Sequence, residues 1–164
     1  MKNTGKLFGI IAAMAAIALS ATGCSTDSVQ ITAVDGRWVG PGGEILSFEN
    51  GIFETNQPPE AVLAGAIDTR ATFIASGGAI NMTTTHLRFP STDWMNRAAL
   101  RAFWIAENNL TDPEDIAELD AMLDAAFAPM SGTYGLSNGG NALALMLTVG
   151  GYTETLNLTR YSTQ

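Results

Sequence analysis

Few residues in this chain of 164 could do chemistry. His86 is the only histidine and Cys24 the only cysteine. With no second histidine and no free thiol in the mature chain, a zinc or haem site is poorly supported. A serine–histidine–aspartate set would rest on His86 alone, and the sequence has no Gly-x-Ser-x-Gly elbow. Carboxylates crowd the stretch from Asp112 to Asp124, but "DPED" and "ELD" read as helix capping and a solvated helix face. They lack the loop spacing of an EF-hand calcium site. The expectation is therefore no enzyme, no metal and no cofactor. Strict alternation places His86 on the strand face of Ile80, Met82 and Thr84, pointing inward near one mouth of any closed sheet.

What precedes Cys24 suggests its chemistry. Lys2 and Lys6 form a positive start, and Leu7 to Leu19 is an uncharged apolar run. That run suits a secretory leader and is too short to span a bilayer. "ATGC" then resembles a bacterial lipobox, with Ala21 where leucine is usual. The resemblance implies that Cys24 carries a diacylglycerol, receives a further acyl chain such as palmitate and becomes the mature N-terminus. Several acyl chains give a firm membrane anchor. The alternative is an ordinary leader cleaved at Ala16-Ile17-Ala18, which leaves Cys24 a stray thiol. With the lipobox, residues 1–23 are leader, 24–34 the lipidated cysteine and tether, and 35–164 the domain. Such a chain is exported and held on the envelope, facing the periplasm or the cell surface.

Both lysines lie in the leader, so the remaining six arginines face sixteen acids and the formal charge is −10. That balance argues against nucleic acid and against electrostatic adhesion to anionic lipid. The 141 residues after the leader suit one domain that needs no disulfide staple.

From Gly36 onward the sequence alternates as strands broken by glycine. "GEILSFENGIFETN" is a hairpin unit, with Asn50-Gly51 a type I′ turn signal. That turn sets Glu49 opposite Ile52 and Phe48 opposite Phe53, and makes the Leu46/Phe48/Phe53 face apolar. Strands are expected near 36–40, 44–49, 52–57, 63–75, 79–89, 131–137, 141–149 and 152–161. Between the fifth and sixth, over 92–129, the period becomes helical. One helix is expected over Trp94 to Glu107, capped by Asp93 or a neighbour. A second starts at Asp112 (N-cap) and Pro113, with Ile116, Leu119, Leu123 and Phe127 on one face.

Ala142, Ala144 and Met146 are apolar opposite the Leu143/Leu145/Leu147 face, so that strand needs cover on both sides, and the helical hairpin is the expected cover. Gly-Gly pairs follow aromatics in "RWVGPGG", "TFIASGG" and "TYGLSNGG". Each reads as strand, turn and return strand, with at most weak evidence of duplication. The fold class expected is all-β with a helical insertion: an eight-stranded antiparallel up-and-down barrel, closed so that no edge is exposed.

"GRW" near the start of the domain resembles the Gly-x-Trp of lipocalin-like barrels, where an arginine from the last strand packs over the tryptophan. The resemblance implies a closure made of Gly36, Trp38 and Arg160. The stretch from "AELDAMLDAAFAPMSGTYGLSNGG" to "LNLTR" is similar to small lipocalin-like lipoproteins of spirochaetes, with "SNGGN" in place of their Ser-Gly-Asn.

Such a barrel implies two roles. One is binding or carrying a small hydrophobic molecule, lined by Phe48, Phe53, Phe73, Ile80, Met82, His86, Leu145 and Leu156. Small inward residues Ala71, Ala75 and Thr84 would leave it room. The other is a filled barrel acting on a protein partner through the acidic helical hairpin, for example as a peptidase inhibitor.

Overall fold

The computed structural model describes residues 33–58, 67–149 and 152–162. The leader, Cys24 and most of the tether lie outside the described residues. Among those described, the strands are β1 (Gly36–Val39), β2 (Ile45–Glu49), β3 (Ile52–Asn56), β4 (Asp68–Ser76), β5 (Ala79–Arg88), β6 (Pro129–Ser137), β7 (Ala142–Val149) and β8 (Tyr152–Arg160). Two helices, α1 (Arg97–Asn108) and α2 (Pro113–Ala126), lie between β5 and β6. The strands pair in sequence order and close through β1 and β8 into an antiparallel barrel, which leaves no open sheet edge.

The turn chemistry sets the registers. Asn50 and Gly51 adopt φ of 53° and 75°, and the expected pairs Glu49–Ile52, Phe48–Phe53, Ser47–Glu54 and Leu46–Thr55 all form. The Gly77-Gly78 turn closes β4 onto β5, with Ser76 opposite Ala79. The three Gly-Gly segments are all hairpin connections, but they do not mark a repeated unit. The one at 42–43 joins β1 to β2 at the end that carries the helices; the other two lie at the opposite end.

Inward side chains of β1–β8, with Val34 just before β1, form one core that includes Trp38, Leu46, Phe48, Phe53, Phe73, Ile80, Met82, Leu143, Leu145 and Leu158, with small alanines at 71 and 75. A second core of Ile67, Leu87, Leu100, Leu119 and Leu123 lies where the helices meet the barrel.

The helices depart from the expected arrangement in two ways. First, α1 starts at Arg97, capped by Asn96, whose side chain accepts from the Ala99 amide at 2.9 Å. Trp94 precedes it in an extended segment, because Met95 pairs with Leu87 as an added bridge on β5. In α2, Asp112 caps by accepting from the Glu114 amide at 2.9 Å, and Pro113 occupies the first turn. Second, the hairpin does not cover the outer face of β7. Its buried leucines face the barrel end, and Met146 on that outer face is 45% exposed. β4 begins at Asp68, with Ile67 outside the strand; residues 63–66 of the expected strand lie outside the described residues.

Candidate functional site

One barrel end is closed by a set of side chains gathered from both chain ends. β1 and β8 share a short seam, in which Trp38 pairs with Arg160 and Val39 with Thr159. The Trp38 ring is fully buried, and its Nε1 donates to the Val34 carbonyl at 2.9 Å. The Arg160 guanidinium lies 4.4 Å from the ring centroid, while its Nε donates to the Gly140 carbonyl at 3.0 Å. A cation over an indole face is attracted by the ring quadrupole. Gly36 makes room for this: its φ is 127°, and a Cβ there would stand 2.7 Å from Arg160 Nη1. Above the pair, Phe48 meets Phe53 at 4.9 Å and Phe73 edge-on at 5.2 Å between centroids. The base of the barrel is filled by these rings.

Seven of the eight side chains expected to line a ligand belong to, or pack against, this core: Phe48, Phe53, Phe73, Ile80, Met82, Leu145 and Leu156. His86 does not share their face. Ala71 pairs with Thr84 and Arg70 with His86, so Thr85 is an extra residue on β5. Such a bulge shifts the alternation by one. It turns His86 to the outer face, with Nδ1 3.1 Å from Thr85 Oγ1, and turns Leu87 inward instead.

The helical end is built differently. Thr55, Thr69 and Thr84 face inward above the aromatic core, and Thr55 Oγ1 accepts from the Thr69 amide at 2.7 Å. Beyond this hydroxyl layer lies an apolar cleft between two walls. Ile67, Leu87 and Phe89 come from the barrel rim. Leu100 and Trp104 of α1, with Met122, Leu123 and Ala126 of α2, come from the hairpin. The cleft holds about 10 Å³ of free volume, near the least that admits one water. Trp104, which lines this cleft, has its Nε1 buried without a hydrogen-bond partner. Leaving such a donor unpaired costs about 1–3 kcal/mol.

An outer cluster holds the hairpin to the wall. Trp94 lies under two guanidiniums, Arg70 at 4.4 Å and Arg88 at 4.6 Å from its centroid. Arg70 Nε donates to Glu54 at 2.6 Å, and Arg88 donates to the buried Asp68 at 2.5 and 3.0 Å. Asp68 also accepts from the Gln57 amide at 2.8 Å. Sequence reasoning missed this cluster. Its one local signal was Arg70 and Arg88 on strands with Trp94 just beyond, and the partners become neighbours only through the β3–β4–β5 registers.

The hairpin carries its own ion pairs. Arg101 donates to both Asp120 oxygens at 2.7 and 3.1 Å, and Arg97 reaches Asp124 at 2.7 Å. The hydrogen bond from Arg101 holds the Asp120 carboxyl below its usual range; partial desolvation opposes this, while the charges of Arg101 and Arg97 add to it.

These features define a closed eight-stranded antiparallel barrel, consistent with a lipocalin-like fold, sealed at one end by a tryptophan–arginine pair and covered at the other by two helices. Comparison of the chain with protein-family models, with curated proteins and with solved structures returned no match.

Proposed function

We propose that this protein is an envelope lipoprotein, anchored through Cys24, whose barrel binds a small hydrophobic molecule at its helix-covered mouth. The observation that carries the reading is the division of the interior. The base is filled with its own aromatic rings, whereas the mouth is an apolar cleft closed by a separate piece of chain. A concave apolar site with a few polar groups is the usual form of a small-molecule site. Binding rather than catalysis is the proposed role, because the inward residues offer apolar surface and threonine hydroxyls.

Val34, just before β1, lies at the sealed end, where its carbonyl accepts from Trp38 Nε1. Anchoring at Cys24 would then turn the mouth away from the membrane, toward exchange with the aqueous compartment. In the competing reading, the exposed acids Glu114, Asp115 and Glu118 on the hairpin meet a protein partner.

Uptake of the neutral fluorophore N-phenyl-1-naphthylamine by the purified protein distinguishes the two. Enhanced emission that a hydrophobic competitor removes supports the carrier. No uptake at any protein concentration contradicts it.

A further inference from the structure

The Trp104 indole presents a specific demand. Its Nε1–H can only donate, and it is buried with no acceptor in reach. Phe89 and Phe103 stand edge-on to the ring, at 5.6 and 5.8 Å between centroids. Among the described residues, the side chains that share its cleft are aliphatic, aromatic or thioether, and none is a strong acceptor. A buried polar group without a partner calls for an explanation.

We propose that the cleft between hairpin and barrel rim takes a neutral amphiphile, an apolar chain or ring bearing one carbonyl or hydroxyl oxygen, and that this oxygen accepts from Trp104 Nε1. The assignment rests on the reading of the mouth as a hydrophobic binding site. An oxygen acceptor is required because a pure hydrocarbon leaves the donor as unpaired as before. Neutrality follows from the walls. Among the described residues no cation lines the cleft, and Arg97 and Arg101 are engaged with Asp120 and Asp124. A carboxylate would be buried without a counter-charge, at heavy cost.

The free volume of about 10 Å³ is far below that of such a molecule, so binding displaces the hairpin from the rim. One wall is sheet and the other is two helices held to it by the apolar core at the rim, the Leu87–Met95 bridge and the Trp94 cluster; none of these is a barrel strand pairing, so the walls can part without opening the barrel. The ligand therefore selects an open form, and its apparent affinity is reduced by the fraction of molecules in that form.

The test is titration of 2-nonanone, nonane and nonanoate into the purified protein, followed by the Trp104 indole N–H resonance in ¹H–¹⁵N spectra. The expected result is that 2-nonanone binds most tightly and moves that resonance downfield. Trp104→Phe then weakens 2-nonanone roughly three- to tenfold more than it weakens nonane, as for one hydrogen bond. Equal binding of ketone and alkane, with the indole resonance unmoved, overturns the acceptor assignment while leaving hydrophobic binding intact. Tighter binding of nonanoate overturns the neutral class. Failure of all three, together with failure of N-phenyl-1-naphthylamine uptake, removes the binding site as well.

Discussion

Trp38 and Arg160 stand at opposite ends of the domain sequence and are directly paired in the barrel, with the guanidinium 4.4 Å from the indole centroid. Closing the barrel therefore means bringing together its first and last strands. The short β1–β8 seam is reinforced on the outer side by Arg37 over Tyr161 at 4.8 Å and by the Tyr161 amide donating to the Arg37 carbonyl at 2.8 Å.

Truncating the ring should cost far more than removing the cation. Trp38→Ala leaves a cavity in a fully buried site and should lower stability by about 3–5 kcal/mol. Arg160→Ala removes a cation–π contact that is partly open to water, worth about 0.5–1 kcal/mol. Urea unfolding of the two variants checks the order, and equal losses would contradict it.

Gly132 on β6 should tolerate no side chain. A Cβ there would stand 2.0 Å from the Met146 carbonyl oxygen, and backbone cannot swing aside. Gly132→Ala should destabilise at or above the upper end of the usual overpacking range of about 1–3 kcal/mol. Gly135, three residues on, has open space at the same position, so Gly135→Ala serves as the control. Thermal melts of the pair should separate clearly.

Acid should loosen the helical hairpin through Asp120. Its carboxyl is held below the usual range by Arg101, so the folded form binds its proton more weakly than the unfolded chain does. That contribution is complete above the ordinary aspartate value of about 3.9 and is lost as pH falls through the lower folded value. Helix resonances followed from neutral pH downward should show the loss there. Asp120→Asn should remove this step, and an unchanged acid profile in that variant would rule it out.

Trp94 should control the cover without controlling the barrel. Trp94→Ala deletes two cation–π contacts of about 0.5–1 kcal/mol each. Amide exchange in α1 and α2 should then quicken roughly tenfold, while amides of β7 and β8 keep their protection. Uniform acceleration across all strands would show that Trp94 supports the whole fold.

What could be read from the residues was mostly local. Asn50-Gly51 and Gly77-Gly78 announce two-residue turns, and each turn sets the register of the strands it joins. Asp112-Pro113 announces a helix start with equal clarity. Reading failed where one residue or one distant pairing decides the outcome. The extra residue at Thr85 sends His86 outward, and nothing in "NMTTTHLR" marks which threonine is bulged. The Leu87–Met95 bridge pulls Trp94 out of a helical pattern that its neighbours suggest. The two-sided apolar pattern of β7 suggested a cover, but hairpin placement depends on Leu87 and Ile67 at the rim instead. The threonine layer and the unpaired Trp104 donor are three-dimensional facts with no one-dimensional signature.

The central claim is that the mouth holds a small hydrophobic molecule, and native mass spectrometry of the purified protein tests it most directly. The account predicts a co-purifying adduct of small-molecule mass, retained under gentle conditions and exchanged for added 2-nonanone. A bare polypeptide mass under the same conditions, with no mass shift on adding 2-nonanone, would contradict it.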